Sequence, residues 1–396
     1  MTVVPQSELN ARLAALQQTL DGEGIDAALI MQHADLFYFS GAVNRAILYV
    51  PAAGAPLLMA LPGAERIREE TPFSRIEALD RQENLPAFLQ EQGYEPPKLL
   101  GLECDVLPAS VHSRLTGLFS GAQVADISAM IRRLRMVKSA WEIEQISQAC
   151  LMGQQIFEFV PQVLYQQMSE LELTGQIERF ARQLGHPGYM RARAFNQELT
   201  YALVLSGSDA SIPSYSSGPL GGRGLVPAFP HAATQRLIGK NEPVIVDFSA
   251  WAGGYLADMT RTYCIGSLPS HMEHAYDTAV AIQELLKQEA KAGAVCSELW
   301  AAARQLVRTN GLCEHFMGMA RRVPFIGHGV GVEIDELPVL APRVEQVLQA
   351  NMVLAVEPKF VFPDGAVGLE NTFVVGEEGL ISLIDDNDAL YYIHEH

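Results

Sequence analysis

Four carboxylates set in two apolar hairpin segments constrain this chain more than any other feature. Asp247 lies in Pro243-Val-Ile-Val-Asp247-Phe-Ser-Ala250, and Asp258 in Tyr255-Leu-Ala-Asp258-Met-Thr-Arg-Thr-Tyr263. Trp251-Ala-Gly-Gly254 between them is a turn signal. With those four residues as the loop, 250 pairs with 255 and Asp247 stands opposite Asp258. The pattern recurs in Val353-Leu-Ala-Val-Glu357-Pro-Lys-Phe-Val361, the loop Phe362-Pro-Asp-Gly365, and Ala366-Val-Gly-Leu-Glu370-Asn-Thr-Phe-Val-Val375. Counting outward from that loop sets Glu357 opposite Glu370, and a bulge in either hairpin would shift its register by one. Opposed residues of an antiparallel pair share a face, where two like charges repel unless a positive charge lies between them. A single such hairpin could be an edge with solvated carboxylates. Two of them, beside Gly327-His328-Gly-Val-Gly331, point to metal. Neutral imidazole binds transition metals well, and the flanking glycines let backbone and substrate approach closely.

A length of 396 residues suggests two or three domains with full apolar cores. No apolar run approaches a membrane span, and no basic stretch followed by an apolar one opens the chain, so a soluble cytoplasmic protein is expected. The balance of 28 basic against 46 acidic residues gives −18, which disfavours nucleic acid and anionic membrane as partners. Bound metal would neutralise part of that acidity. Cys104, Cys150, Cys264, Cys296 and Cys313 are odd in number and scattered. They read as free thiols in a reducing compartment, not as disulfides, a zinc knuckle or a nucleophile.

The first third alternates helical and strand patterns. Leu9–Leu20 has helical spacing and is closed by Gly22 to Gly24. Short buried strands are expected at 25–31, 46–50, 56–60 and 98–103, with a helix over 110–119; together they make a small α/β domain. The character changes in Ala129-Met-Ile-Arg-Arg-Leu-Arg-Met-Val-Lys138, and Ser139-Ala-Trp-Glu142 has the form of a capping box. A long helix should run from there toward Phe159, another over 170–184, and two more over 271–292 and 297–310. The boundary is placed near residue 135, giving domains 1–134 and 135–396. The second domain also holds a Gly/Ser/Pro-rich stretch over 206–230 and the two hairpins.

On these residues the chain resembles the pita-bread metallopeptidases, which include methionine aminopeptidase, aminopeptidase P, prolidase and the metal-free creatinase. The resemblance covers nearly the whole chain. It implies an α+β fold, a pita-bread catalytic domain preceded by a smaller α/β creatinase-type N-terminal domain. Leu134-Arg-Met-Val-Lys138 with Glu142 and Ile143 looks like the junction. Asp247, Asp258, His328, Glu357 and Glu370 fall on the family's five metal-ligand positions, in order. The resemblance implies two divalent ions (Mn, Co, Fe or Zn, with Mn favoured) that share a bridging hydroxide. Asp258 and Glu370 would bridge, Asp247 would serve one ion, and His328 with Glu357 the other. Glu357 would also shuttle a proton, and His231, in Phe229-Pro230-His231, would face the substrate.

The departure is at Asp335. Family peptidases usually carry His-Glu-x-Pro after the Gly-His-Gly segment, and that histidine helps hold the substrate carbonyl; here Asp335-Glu336-Leu337-Pro338 stands. Val339 occupies the place of an arginine that in prolidases helps bind the substrate carboxylate. Asp335 is therefore a substrate-side candidate, suited to a cationic group. The resemblance implies a metal-dependent Xaa-Pro peptidase of dipeptidase or aminopeptidase P type, acting on small peptides as a homodimer. The alternative is a non-peptide C–N hydrolase of the creatinase or ectoine-hydrolase type, acting on another small molecule.

Overall fold

A computed structural model describes residues 3–61, 63–193, 195–213, 215–384 and 388–393. The chain divides into two compact units, one of residues 1–135 with Arg193–Phe195, the other of 136–192 with 196–396. Among the described residues no helix is long and apolar enough to cross a membrane.

The first unit is built on six strands: β1 (Ala27–Ile30), β2 (Ala46–Pro51), β3 (Leu57–Ala60), β4 (Ile76–Ala78), β5 (Leu99–Leu102) and β6 (Gln123–Asp126). They form one mixed sheet in the order β4-β3-β2-β1-β5-β6. β1 to β3 are buried throughout, which is why they read as continuous apolar runs. The helix expected over Leu9–Leu20 spans Gln6–Gly22, and that over 110–119 spans Ala109–Leu118. β4, β6 and the short helices His33–Ser40, Ala64–Glu70, Leu85–Glu91 and Ser128–Leu134 were not expected from the sequence. Each is too brief for periodicity to register.

One buried carboxyl in this unit sets a pH dependence. Glu103 Oε2 accepts hydrogen bonds from the backbone N–H of Met31 (2.7 Å) and Gln32 (3.0 Å), and its other oxygen has no hydrogen-bond partner among the described residues. Burial, then the neighbouring Asp35 carboxylate, pushes Glu103 well above the ordinary carboxyl range. For Asp35 itself, burial is outweighed by Arg135 and Arg193, which hold it low. A raised acid binds its proton more tightly folded than unfolded. Its contribution is therefore full below the unfolded value of 4.5 and is lost as pH rises toward the folded value. Glu103→Gln keeps an oxygen for both amides and offers a donor toward Asp35. A carboxamide carries no such proton linkage, so the variant should melt higher than the wild type near pH 8. Near pH 4 it should give no gain. Thermal melts of both proteins at the two pH values check this.

In the second unit the capping box at Ser139 is formed. Its hydroxyl accepts from Glu142 N–H, and the Glu142 carboxylate accepts from Ser139 N–H. The helix Ala140–Val163 that follows packs on a long hairpin, β8 (Pro243–Ala252) and β9 (Tyr255–Ile265), and β7 (Ala202–Ser206) flanks β8. The other expected helices span Glu170–Gln183, Ser270–Glu289 and Cys296–Thr309. The remaining strands are β10 (Gly327–Gly329), β11 (Glu336–Val339), β12 (Val353–Val356), β13 (Lys359–Phe362), β14 (Gly365–Gly368), β15 (Asn371–Val375), β16 (Leu380–Ser382) and β17 (Tyr391–Ile393). They assemble as β17-β9-β8-β7, as β11-β10-β12-β15-β16, and as the pair β13-β14.

The first hairpin corrects the expected register. Its loop is Gly253–Gly254 alone, both at positive φ (56° and 92°), and the strands continue through Trp251 and Ala252 to the pair Ala252↔Tyr255. Two consecutive left-handed glycines suit the tight turn that matches strand twist. Asp247 therefore pairs with Thr260, and Asp258 with Ser249. The slip is two residues, so both carboxylates stay on the face assigned to them. The second hairpin keeps its register, with Val361↔Ala366 and, farther out, Val356↔Asn371. It is not one ribbon, however. It breaks at Glu357-Pro358 on one side and Leu369-Glu370 on the other, where the chain passes from the pair β13-β14 into the five-stranded sheet.

Candidate metal centre

The break in the second hairpin is what frees its two glutamates to point at the first. Glu370 exchanges both backbone hydrogen bonds with Thr260 of β9, each 3.1 Å. The fully buried Arg261 ties the same crossing, donating to the Thr260 and Glu370 carbonyls and to Asn371 Oδ1. Glu357 N–H donates to the Ile326 carbonyl at 2.9 Å, beside β10. β10 runs between β12 and β11, with His328 opposite Ala355 and Val339. The glycines around His328 are demanded by those strands. A Cβ on Gly327 would lie 2.5 Å from the Ala355 carbonyl oxygen, and one on Gly329 would lie 2.1 Å from that of Leu337.

Asp258, His328 and Glu370 thus each present a ligand atom within 4.8 Å of the others. Nδ1 of His328 lies 3.1 Å from the Gly329 carbonyl oxygen, so the tautomer protonated there satisfies that contact and leaves the Nε2 lone pair free. Nε2 stands 3.5 Å from Glu357 Oε1, 3.9 Å from Asp258 Oδ2 and 4.0 Å from Glu370 Oε1. Glu370 Oε1 is buried with no hydrogen-bond partner among the described residues. An anionic oxygen left bare in a protein interior is costly, and a cation is the natural remedy. One divalent ion therefore fits this group. Around it, Ser249 Oγ donates to Asp258 Oδ1 and Thr260 Oγ1 to Glu370 Oε2. Burial, followed by mutual repulsion, raises Asp258 well above its ordinary value; burial also raises Asp247 and Glu370, against the pull of Lys359.

Asp247 does not join that trio. Its Oδ2 is 3.3 Å from Lys359 Nζ, which also donates to Glu357 Oε2 at 2.8 Å and Glu370 Oε2 at 2.6 Å. The expectation of two ions thus meets a protein cation among the ligands of one of them. Burial opposes the Lys359 charge, but the three carboxylates outweigh it and push the ammonium well above its ordinary value. This residue was not among the candidates drawn from the sequence, although it stands two positions after Glu357 in the same run. Its signal was there: a lysine in the apolar run between Pro358 and Phe360, two positions after a candidate ligand, needs an anionic partner.

Both remaining candidates line the same cavity as the carboxylates, a space of about 150 Å³ walled by Leu203, Phe325, Ile334 and neighbours. His231 is buried, and burial pushes it down to about 4, so its imidazole is neutral at working pH. Asp335 lines the cavity, whereas Glu336 is turned elsewhere and pairs with the buried Lys138 at 3.0 Å. Arg343, the nearest arginine after Val339, is exposed and outside the lining.

Residues 144–377 match the model of metallopeptidase family M24, and residues 12–137 match the creatinase/prolidase N-terminal domain. The chain is 25% identical over 374 residues to an Xaa-Pro dipeptidase of Pyrococcus horikoshii, covering 94% of this chain and 96% of that one. An X-Pro aminopeptidase structure from Thermotoga maritima superposes with a TM-score of 0.78 at 25% identity, over 93% and 98% of the two chains. An Xaa-Pro dipeptidase structure from Bacillus anthracis shares the fold, with a TM-score of 0.83 at 22% identity over 97% and 100%. With the pita-bread architecture and its carboxylate–histidine cluster in place, this chain belongs to metallopeptidase family M24.

Proposed function

We propose that the protein is a metal-dependent Xaa-Pro peptidase whose ion is held by Asp258, His328, Glu357 and Glu370 within an acidic shell that Asp247 completes. The observation that carries this is the buried Glu370 Oε1, bare among the described residues, converging with Asp258 and His328 on a cavity of about 150 Å³. Carboxylates with one imidazole and no thiolate suit Mn²⁺, Co²⁺, Fe²⁺ or Zn²⁺, and Mn²⁺ is the ion we favour. Bound there, a divalent ion polarises a carbonyl and makes water a nucleophile near neutral pH. Glu357, reaching the cavity with one oxygen, takes the water's proton and delivers it to the leaving amine. Neutral His231 donates a hydrogen bond to the oxygen that gains charge at the scissile carbon.

Asp335 gives the substrate end of this reading its character. An anion there repels a developing oxyanion but suits an ammonium, so we assign it to the free amino group of the peptide. The five free thiols fit a reducing, cytoplasmic setting, and a homodimer is the assembly we expect. The test is a panel of Ala-Pro, Met-Pro, longer Xaa-Pro peptides, their N-acetylated forms and proline-free controls, each with Mn²⁺, Co²⁺ or Zn²⁺. Release of the first residue from free Xaa-Pro peptides, and none from acetylated ones, supports the reading. A second reading, hydrolysis of a non-peptide C–N bond, draws on the same Asp335. It gains if every peptide is refused and Asp335→His, restoring the family's usual residue, switches peptide cleavage on.

A further inference from the structure

We propose that the Lys359 ammonium is a built-in cation holding the place of a second metal ion, so that this centre takes one divalent ion only. The inference rests on reading the cluster as a metal centre. An ammonium has three N–H donors and no acceptor. Here all three are spent on carboxylates, Glu370 Oε2 at 2.6 Å, Glu357 Oε2 at 2.8 Å and Asp247 Oδ2 at 3.3 Å. The glutamate oxygens are divided cleanly. Each Oε2 faces the ammonium, while Glu357 Oε1 and Glu370 Oε1 face His328 Nε2, on the side where Asp258 Oδ2 also lies. The ammonium side is satisfied; the other side holds the one oxygen of the cluster that is buried and bare.

The fold makes room for this lysine. Lys359 is 1% exposed and pairs across β13-β14 with Gly368. A Cβ on Gly368 would lie 2.6 Å from the Pro358 carbonyl oxygen and 2.8 Å from Lys359 Cγ, so any side chain there would displace the lysine stem. A second divalent ion bound to the Oε2 atoms and Asp247 would lie against Nζ, whose side chain is enclosed by the protein. Asp247 accordingly serves as a lysine partner. Lys359 is a positioning residue that pins Glu357 Oε2 and turns Oε1 toward His328 Nε2.

Metal-free full-length protein titrated with Mn²⁺, and assayed for bound metal after gel filtration, tests this. The wild type should retain one ion per chain at saturation, and Lys359→Ala, which removes the cation and opens its space, should retain two. Two ions in the wild type would overturn the inference, and so would a folded Lys359→Ala that still retains one. No ion in the wild type would instead overturn the metal-centre reading beneath it. If the variant does not fold, reductive methylation of metal-saturated wild type decides. Lys359 should stay unmodified, and its methylation would show the ammonium displaced by metal.

Discussion

Asp258→Asn should leave a folded protein that has lost its metal and its turnover together. Losing an outer-shell partner of a metal ligand costs about 10–100-fold in affinity or activity, and loss of the ligand itself should exceed that. A fall in turnover of at least ~10³-fold follows, since one electrostatic donor alone is worth about 10²–10³. The stability signature is more distinctive. An ion that binds only the folded state at about 1,000 times its dissociation constant stabilises by about 4 kcal/mol, which the wild type should show as a Tm several degrees higher with Mn²⁺ than with chelator. The variant should show no such difference. In chelator it should melt no lower than wild type, because removing one of four crowded carboxylates relieves repulsion in the empty site. Calorimetry with and without Mn²⁺ reads both effects; a variant that keeps the metal-dependent rise would remove Asp258 from the ligand set.

Glu357→Gln should lose chemistry, with its metal content showing how much of the loss belongs to the proton carrier and how much to the ligand. One oxygen of Glu357 is held by Lys359 and the other stands 3.5 Å from His328 Nε2, at the edge of the cavity. An amide can still accept from the ammonium but cannot take up a proton. General acid–base groups contribute about 10²–10⁴-fold, so kcat should fall by that range with KM little changed. Metal content must be measured on the same preparation, because Glu357 also belongs to the shell. A metal-replete variant with near-normal kcat would assign the proton transfer to another group.

The candidate metal cluster was legible because strand periodicity is robust. The Gly253–Gly254 turn moved the first hairpin's register by two residues, yet Asp247 and Asp258 kept their face because the pleat repeats every two. The helix Ala140–Val163 was legible from its reciprocal Ser139–Glu142 cap. What escaped was three-dimensional. That Glu357 and Glu370 sit at a break between two sheets depends on the contact of Glu370 with Thr260, 110 residues earlier, which no local pattern encodes. Lys359 escaped because an isolated lysine in a strand carries no motif of its own. The fold nonetheless places it among the anions, where its ammonium pairs with Asp247, Glu357 and Glu370. Asp335 was legible only as a departure from a family pattern; that it shares the cavity with His231 required the fold.

Reconstitution of the chelated enzyme tests the account most directly. Metal-free protein should be inert toward Ala-Pro and longer Xaa-Pro peptides, and added Mn²⁺ should restore hydrolysis in step with occupancy, reaching full rate as bound metal levels off. Undiminished cleavage by protein shown to hold no metal would contradict it.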